Sequence, residues 1–196
     1  MFTAAILATV LGYTWGLAPV APRWTATLAA AVVVALAIAR AIKTGEWGVA
    51  PAAFVPSLRE AAVFTAAAAL VVAVAGWRLG TWHARPTLLS DAALLVPWAL
   101  GQQFALHTVF LRESQAGTSR RAGVVIAAAL FAALHLPNPF LTATTLVAAL
   151  AWCWIYDRHP NVLPLTLSHA LLTLLVLITF DDAITGRLRV GIAALG

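Results

Sequence analysis

The stretch that decides the fold runs Leu88-Leu-Ser-Asp-Ala-Ala-Leu-Leu-Val-Pro-Trp-Ala-Leu-Gly-Gln-Gln-Phe-Ala-Leu-His-Thr-Val-Phe-Leu111. As a helix it is long enough to cross hydrocarbon, which takes roughly 20 apolar residues, and its single charge, Asp91, stands near one end. Gln102, Gln103 and His107 lie well inside it. Polar side chains at that depth cost up to a few kcal/mol unless they face other protein, so the stretch predicts a transmembrane helix whose polar residues point into a bundle.

The whole chain agrees with that reading. Of its 196 residues, 62% are hydrophobic and 10% charged, against roughly 25% charged in an average soluble domain. A soluble globule of this size leaves roughly a third of its extended surface in water. Twelve Lys and Arg with seven Asp and Glu cannot cover it. Mean hydropathy is +0.92, and eight Trp against two Tyr suit rings at membrane boundaries. The net charge of +5 would point to nucleic acid in a soluble protein. Here the basic residues fall in short clusters between apolar stretches, so the implied partner is anionic lipid headgroups and nucleic acid is excluded. Cys153 is the only cysteine, which rules out an internal disulfide and a Cys-ligated zinc site. The opening Met1-Phe2-Thr3 lacks the basic region of a secretory signal, so the first apolar stretch is expected to be a retained helix.

Working outward from 88–111, apolar stretches at 2–20, 24–42, 61–79, 122–136, 139–156 and 162–180 complete an expected all-α polytopic bundle of about seven spans, with six and eight left open. Residues 1–196 are expected to form a single transmembrane domain. The fifth stretch is short and ends at Leu136-Pro137-Asn138-Pro139, where two prolines forbid continuous helix. It reads either as a tight return into the sixth span or as a broken helix lining a cavity. Arg40, Lys43 and Arg59 in a 40–60 loop, Arg112, Arg120 and Arg121 in a 112–121 loop, and Arg158 gather on one side. Arg23, Arg78, Arg85, Arg187 and Arg189 gather on the other. The balance favours a multi-pass protein of the cell membrane with a cytoplasmic N-terminus. Segment 112–121 reads as a flexible solvent loop, and the tail after Asp181-Asp182 as a short Gly-interrupted surface segment. Alanine-rich runs such as 61–75 read as packing faces without chemistry.

The deep polar residues are Gln102, Gln103 and His107 on the fourth span, His135 at the end of the fifth, and His169 and Thr173 on the seventh. Gln103/His107, Phe131/His135 and His169/Thr173 each have i,i+4 spacing and share a helix face. Three helices thus offer one histidine each to a common pocket. Such a trio can bind a metal, activate a water or hydrogen-bond a carbonyl. Singly, a membrane histidine is as often a packing residue that donates one ring N–H, and Gln and Thr serve as interhelical glue. His83 and His159 read as solvated loop residues, and Asp91 as a helix cap.

The run Phe131-Ala-Ala-Leu-His135, followed by His169-Ala-Leu-Leu-Thr173, resembles the second and third motifs of the CAAX protease and bacteriocin-processing family of intramembrane endopeptidases. That family's pattern is Glu-Glu-x-x-x-Arg, then Phe-x-x-x-His, then His-x-x-x-Asn. Its first motif corresponds to Gln102-Gln103-Phe104-Ala105-Leu106-His107 here, and the separations of 32 residues from Gln103 to His135 and 34 from there to His169 fit bacterial members. The resemblance covers residues 88–180. It implies hydrolysis of hydrophobic or prenylated peptides, with His135 orienting water and His169 steadying the oxyanion. Gln102 and Gln103 stand in for both acids, His107 for Arg and Thr173 for Asn. A neutral amide cannot take a proton from water as a carboxylate does, so the base falls to His135 or His107. Glu113, six residues beyond His107, is a poor substitute. Two alternatives stay open: an inactive relative that binds a membrane-protein partner or lipidated peptide, and a metal-dependent membrane enzyme with His107, His135 and His169 holding one divalent ion such as zinc. The protease reading itself calls for no cofactor.

Overall fold

The computed structural model describes residues 1–22 and 24–195; Arg23, placed above among the basic residues of one side, lies outside them. The described chain is helical throughout, with one isolated bridge between Val49 and Asn161. Its apolar helices are α1 (Phe2–Leu17), α2 (Trp24–Thr44), α3 (Phe54–Leu79), α4 (Leu88–Gly117), α5 (Arg120–Ala133), α6 (Pro139–Arg158) and α7 (Val162–Thr179); a short α8 (Asp182–Thr185) follows. Five of them, α2, α3 with its leading turn from Pro51, α4, α6 and α7, are long and apolar enough to cross a membrane. Helices α1 and α5 are shorter, and their apolar stretches give the sixth and seventh elements of the sequence pattern.

Helix α7 packs between α3 and α4, and α6 packs on α5 and α3. Where α3 meets α7 the fit needs glycine: a Cβ on Gly76 would stand 2.1 Å from Thr179 Cγ2. Trp77 and Trp154, each beneath an arginine (Arg78 at 5.4 Å and Arg158 at 5.6 Å), mark opposite ends of the bundle, as rings at two membrane boundaries do. The face that α2 and α3 turn outward is rich in exposed Leu, Val and Trp, as a lipid-facing surface requires.

The 112–121 segment corrects an expectation. It is not a flexible loop: α4 continues helically through Arg112–Gly117, and only Thr118 and Ser119 separate it from α5. Ser119 caps α5 by accepting from the Ala122 amide, and Gln115 packs so closely on Gly123 that a Cβ there would lie 2.5 Å from Gln115 Cγ. Gln115 Nε2 also donates to Asp157 Oδ1 at 2.8 Å, and Arg120 pairs with the same carboxylate. Glycine and serine suggested mobility; here they supply a close approach and a cap.

The 40–60 loop shrinks likewise to residues 45–50, since Arg40 is buried on α2 and Arg59 rides on α3. That short loop is laced to the α6–α7 connection by Val162 N to Gly48 O, Ala50 N to Pro160 O, and Asn161 Nδ2 to Ala50 O. Gly48 has φ of +70° and lies against Thr108, Val162 and the Tyr156 hydroxyl, so both its backbone and its packing demand glycine.

At the same end, Glu113 accepts from the Met1 amine and from the Phe2 and Thr3 amides at 3.0–3.1 Å, closing the open N–H groups of α1. The N-terminus and the α4–α5 junction therefore share one side of the bundle. At the other end, the Asn138 amide donates to the carbonyls of Thr185 and Arg189 while its oxygen caps α6 through Leu141 N. Gly191 donates to Leu136 O and presses against Thr14, so the tail is docked rather than loose on the surface. Asp91 is not the cap of α4. The N-cap position is Thr87, and the Asp91 carboxylate instead takes Arg85 and the Thr87 hydroxyl.

Candidate functional site

Helix α4 is regular to Phe104 and then widens into a π-turn, Ala105–Leu111, every residue of which is buried. Such turns re-aim side chains out of the 3.6-residue register and are common at functional sites. Here the π-turn packs against α5 and α6, and the α-helical part of α4 against α7. The three motif-bearing helices and α6 thus surround one polar island in an apolar core.

The central link joins α4 to α7. Gln103, with no exposed surface, places Nε2 3.1 Å from His169 Nδ1. With the amide so oriented, Gln103 donates, and the second ring nitrogen of His169, Nε2, carries that ring's proton. His135, in the turn that follows α5, places Nδ1 2.8 Å from the Phe131 carbonyl and must donate to it, which leaves His135 Nε2 with a lone pair. Both histidines pack edge-on against the Phe131 ring, His135 at 5.0 Å and His169 at 6.5 Å between centroids. One imidazole thus offers an acceptor and the other a donor, and both pack on one shared aromatic wall.

His107 points elsewhere. Its Nδ1 faces the Gln103 carbonyl at 2.8 Å, and its ring stacks on Tyr156 at 4.6 Å. The Arg112 guanidinium lies 5.3 Å above the other aromatic partner of that stack, Tyr156. His107 Nε2 and Gln103 Oε1 are buried and, among the described residues, have no hydrogen-bond partner. Gln102 and Thr173 are partly exposed, and neither makes a side-chain hydrogen bond among the described residues. Among the described residues, no three His, Cys, Asp or Glu side chains are grouped so as to hold a metal ion. The alternative triad of His107, His135 and His169 is therefore not assembled among the described residues.

Three residues that support the site were not singled out from the sequence. Trp152 of α6 lies against the His169 ring at 4.8 Å with the planes 30° apart. Its indole N–H donates to Ser168 Oγ at 3.0 Å, and the Ser168 and Thr65 hydroxyls are 2.7 Å apart. The Thr65 proton is committed to the Ala61 carbonyl at 2.6 Å, so Ser168 supplies the proton between the two hydroxyls. A chain of hydrogen bonds thus crosses α6, α7 and α3 directly behind His169. A buried Trp usually needs an acceptor for its N–H, and that rule, applied to Trp152, points to Ser168.

The acids are all engaged at helix ends. Glu46 pairs with Arg40, Glu60 with Arg158 and His159, Asp91 with Arg85, Glu113 with the start of α1, Asp157 with Arg120, and Asp182 with Arg187; Asp181 stands 3.8 Å from His83. These are the chain's seven carboxylates, and the island around Gln103 and His169 is neutral. His159 is accordingly a hydrogen-bond partner of Glu60, at 3.1 Å, rather than a solvated loop residue.

No curated protein and no solved structure matches the chain. Residues 84–175, which hold Gln102, Gln103, His107, His135, His169 and Thr173, match the family model described as Rce1-like, Type II CAAX prenyl endopeptidase Rce1-like. Across that segment, just under half of its length, this helical membrane protein is similar to the CAAX prenyl endopeptidases.

Proposed function

We propose that the protein is an intramembrane endopeptidase-like hydrolase for hydrophobic or prenylated peptides, with His135 as its base. The observation that carries this reading is the Gln103–His169 contact beside the Phe131 wall, which joins the first and third motif helices next to the second. In this scheme His135 Nε2 takes a proton from water as the water oxygen bonds to the peptide carbonyl carbon. His169 Nε2–H donates to the resulting oxyanion. The protonated His135 then delivers its proton to the departing amine as the C–N bond breaks. Gln103 fixes the tautomer of His169 by donating to its Nδ1, which keeps the proton on Nε2, without serving as a base. Gln102 and Thr173, both partly exposed, line the approach in this scheme, and His107 packs behind Gln103. General-base groups contribute about 10²–10⁴-fold, so the missing carboxylate sets a slow enzyme.

The surrounding arrangement in this proposal is seven crossings of the cell membrane, the N-terminus cytoplasmic, and lipid and a hydrophobic peptide segment as partners. The neutral island favours a second reading, in which an inactive relative binds the same peptide or a membrane-protein partner. Purified protein in nanodiscs, given a panel of prenylated and unprenylated hydrophobic peptides, separates the two. Under the first reading the parent cleaves slowly, His135→Ala abolishes cleavage, and Gln103→Glu speeds it, alone or with Gln102→Glu. If no variant cleaves while peptide binding is retained and weakened by His169→Ala, the second reading replaces it.

A further inference from the structure

Helices α3 and α6 enclose an open groove of about 520 Å³ whose floor and walls are Val63, Phe64, Ala151 and Ile155, with Arg59, Glu60, Trp154 and Arg158 at its polar rim. We infer that this groove is a binding site for one anionic phospholipid, its phosphate held between Arg59 and Arg158 and an acyl chain lying along the apolar walls. Charge selects the occupant. Glu60 is taken up by Arg158 and His159, whereas Arg59 is exposed and, among the described residues, no carboxylate pairs with it. The rim keeps a net positive charge that attracts a phosphodiester and repels the cationic group of a zwitterionic lipid. Trp154 lies beneath the Arg158 guanidinium at 5.6 Å, where a membrane boundary places such rings.

Register supports a lipid over a free anion. Val63 lies one turn beyond Arg59 on α3, while Ile155 and Ala151 lie one and two turns inward from Arg158 on α6. Both walls therefore lead from the charged rim toward the bilayer interior, along the direction an acyl chain takes. The inner wall is Phe64, whose ring meets Trp152 edge-on at 6.3 Å, so the groove backs onto the partner of His169.

The test is native mass spectrometry of detergent-purified protein titrated with phosphatidylglycerol or phosphatidylcholine of identical chains, with glycerol 3-phosphate as a soluble competitor. Arg59→Gln alters an unpaired surface charge, and Val63→Trp fills the groove from a position that is 73% exposed, so both variants keep the fold. Phosphatidylglycerol is expected to bind more tightly than phosphatidylcholine, with about a five-fold loss in Arg59→Gln, corresponding to about 1 kcal/mol for one interfacial cation. Val63→Trp should weaken both lipids, and Arg78→Gln, at the opposite end, should change neither. Equal affinity for the two lipids, or an equal loss in Arg78→Gln, overturns the site. Displacement by glycerol 3-phosphate with Val63→Trp unaffected overturns the lipid in favour of a bare anion.

Discussion

Replacing Ser168 by alanine tests the hydrogen-bond chain behind His169. Ser168 is 3% exposed and joins Trp152 to Thr65 across three helices, at 3.0 and 2.7 Å. Hydrogen bonds between membrane helices average about 0.6 kcal/mol and reach about 1.7, so losing two removes about 1–3 kcal/mol. Most of the loss lies at Trp152, whose N–H is left with no acceptor, because Thr65 keeps its bond to the Ala61 carbonyl. That asymmetry predicts a coupling. Trp152→Phe discards the donor, so in the Ser168→Ala background it should cost about 0.6–1.7 kcal/mol less than in the parent. Thr65→Val should couple to Ser168→Ala more weakly. Unfolding in mixed bicelles with increasing dodecyl sulfate, run on both double-mutant cycles, measures each term. The reasoning fails if Trp152 and Ser168 act additively, or if Ser168→Ala is neutral while the helical content is unchanged.

Gly76→Ala should destabilise by about 1–3 kcal/mol through overpacking on Thr179 Cγ2, and Thr179→Ser, which removes that methyl, should recover part of the loss in the same unfolding assay. Cys153 is fully buried, so cysteines introduced at Thr118 and Arg85 can be labelled without background; a membrane-impermeant reagent should reach them from opposite sides, and labelling of both from one side would break the continuity of α4. Chelator treatment should leave the unfolding midpoint unchanged, since among the described residues no three metal-ligating side chains are grouped; a loss restored by zinc would reinstate the metal triad. Gly48→Ala should be more damaging than Gly45→Ala, because both have positive φ but only Gly48 meets neighbouring side chains.

The apolar stretches were legible because helix length and hydropathy are local properties, and the starts of α6 at Pro139 and α7 at Val162 lie where the Pro-Asn-Pro turn and Asn161 put them. The helical run through Arg112–Gly117 was not, since it is held by Asp157, far along the chain, and by a close approach to Gly123 that no local pattern signals. At the site, i,i+4 spacing found His135 and His169, and motif order found Gln103. Periodicity could not separate His107 from them, because the π-turn shifts the register that the spacing assumes. Thr65 escaped notice amid alanines, in a helix that reads as featureless until Ser168 is set beside it. Side-chain hydrogen bonds between helices leave no periodic trace in either partner.

The two anchors of α1 also set an order of events during synthesis. This helix leaves the ribosome well before its partners, and its leading amides wait for Glu113, which follows more than a hundred residues later. Its trailing turn at Thr14 waits longer still, for Gly191, which bonds in turn to the carbonyl just after His135. A nascent chain therefore inserts α1 early and locks it late, and arrest before residue 186 leaves its far end free to move sideways in the lipid. A stretch made late thus bolts down one made early.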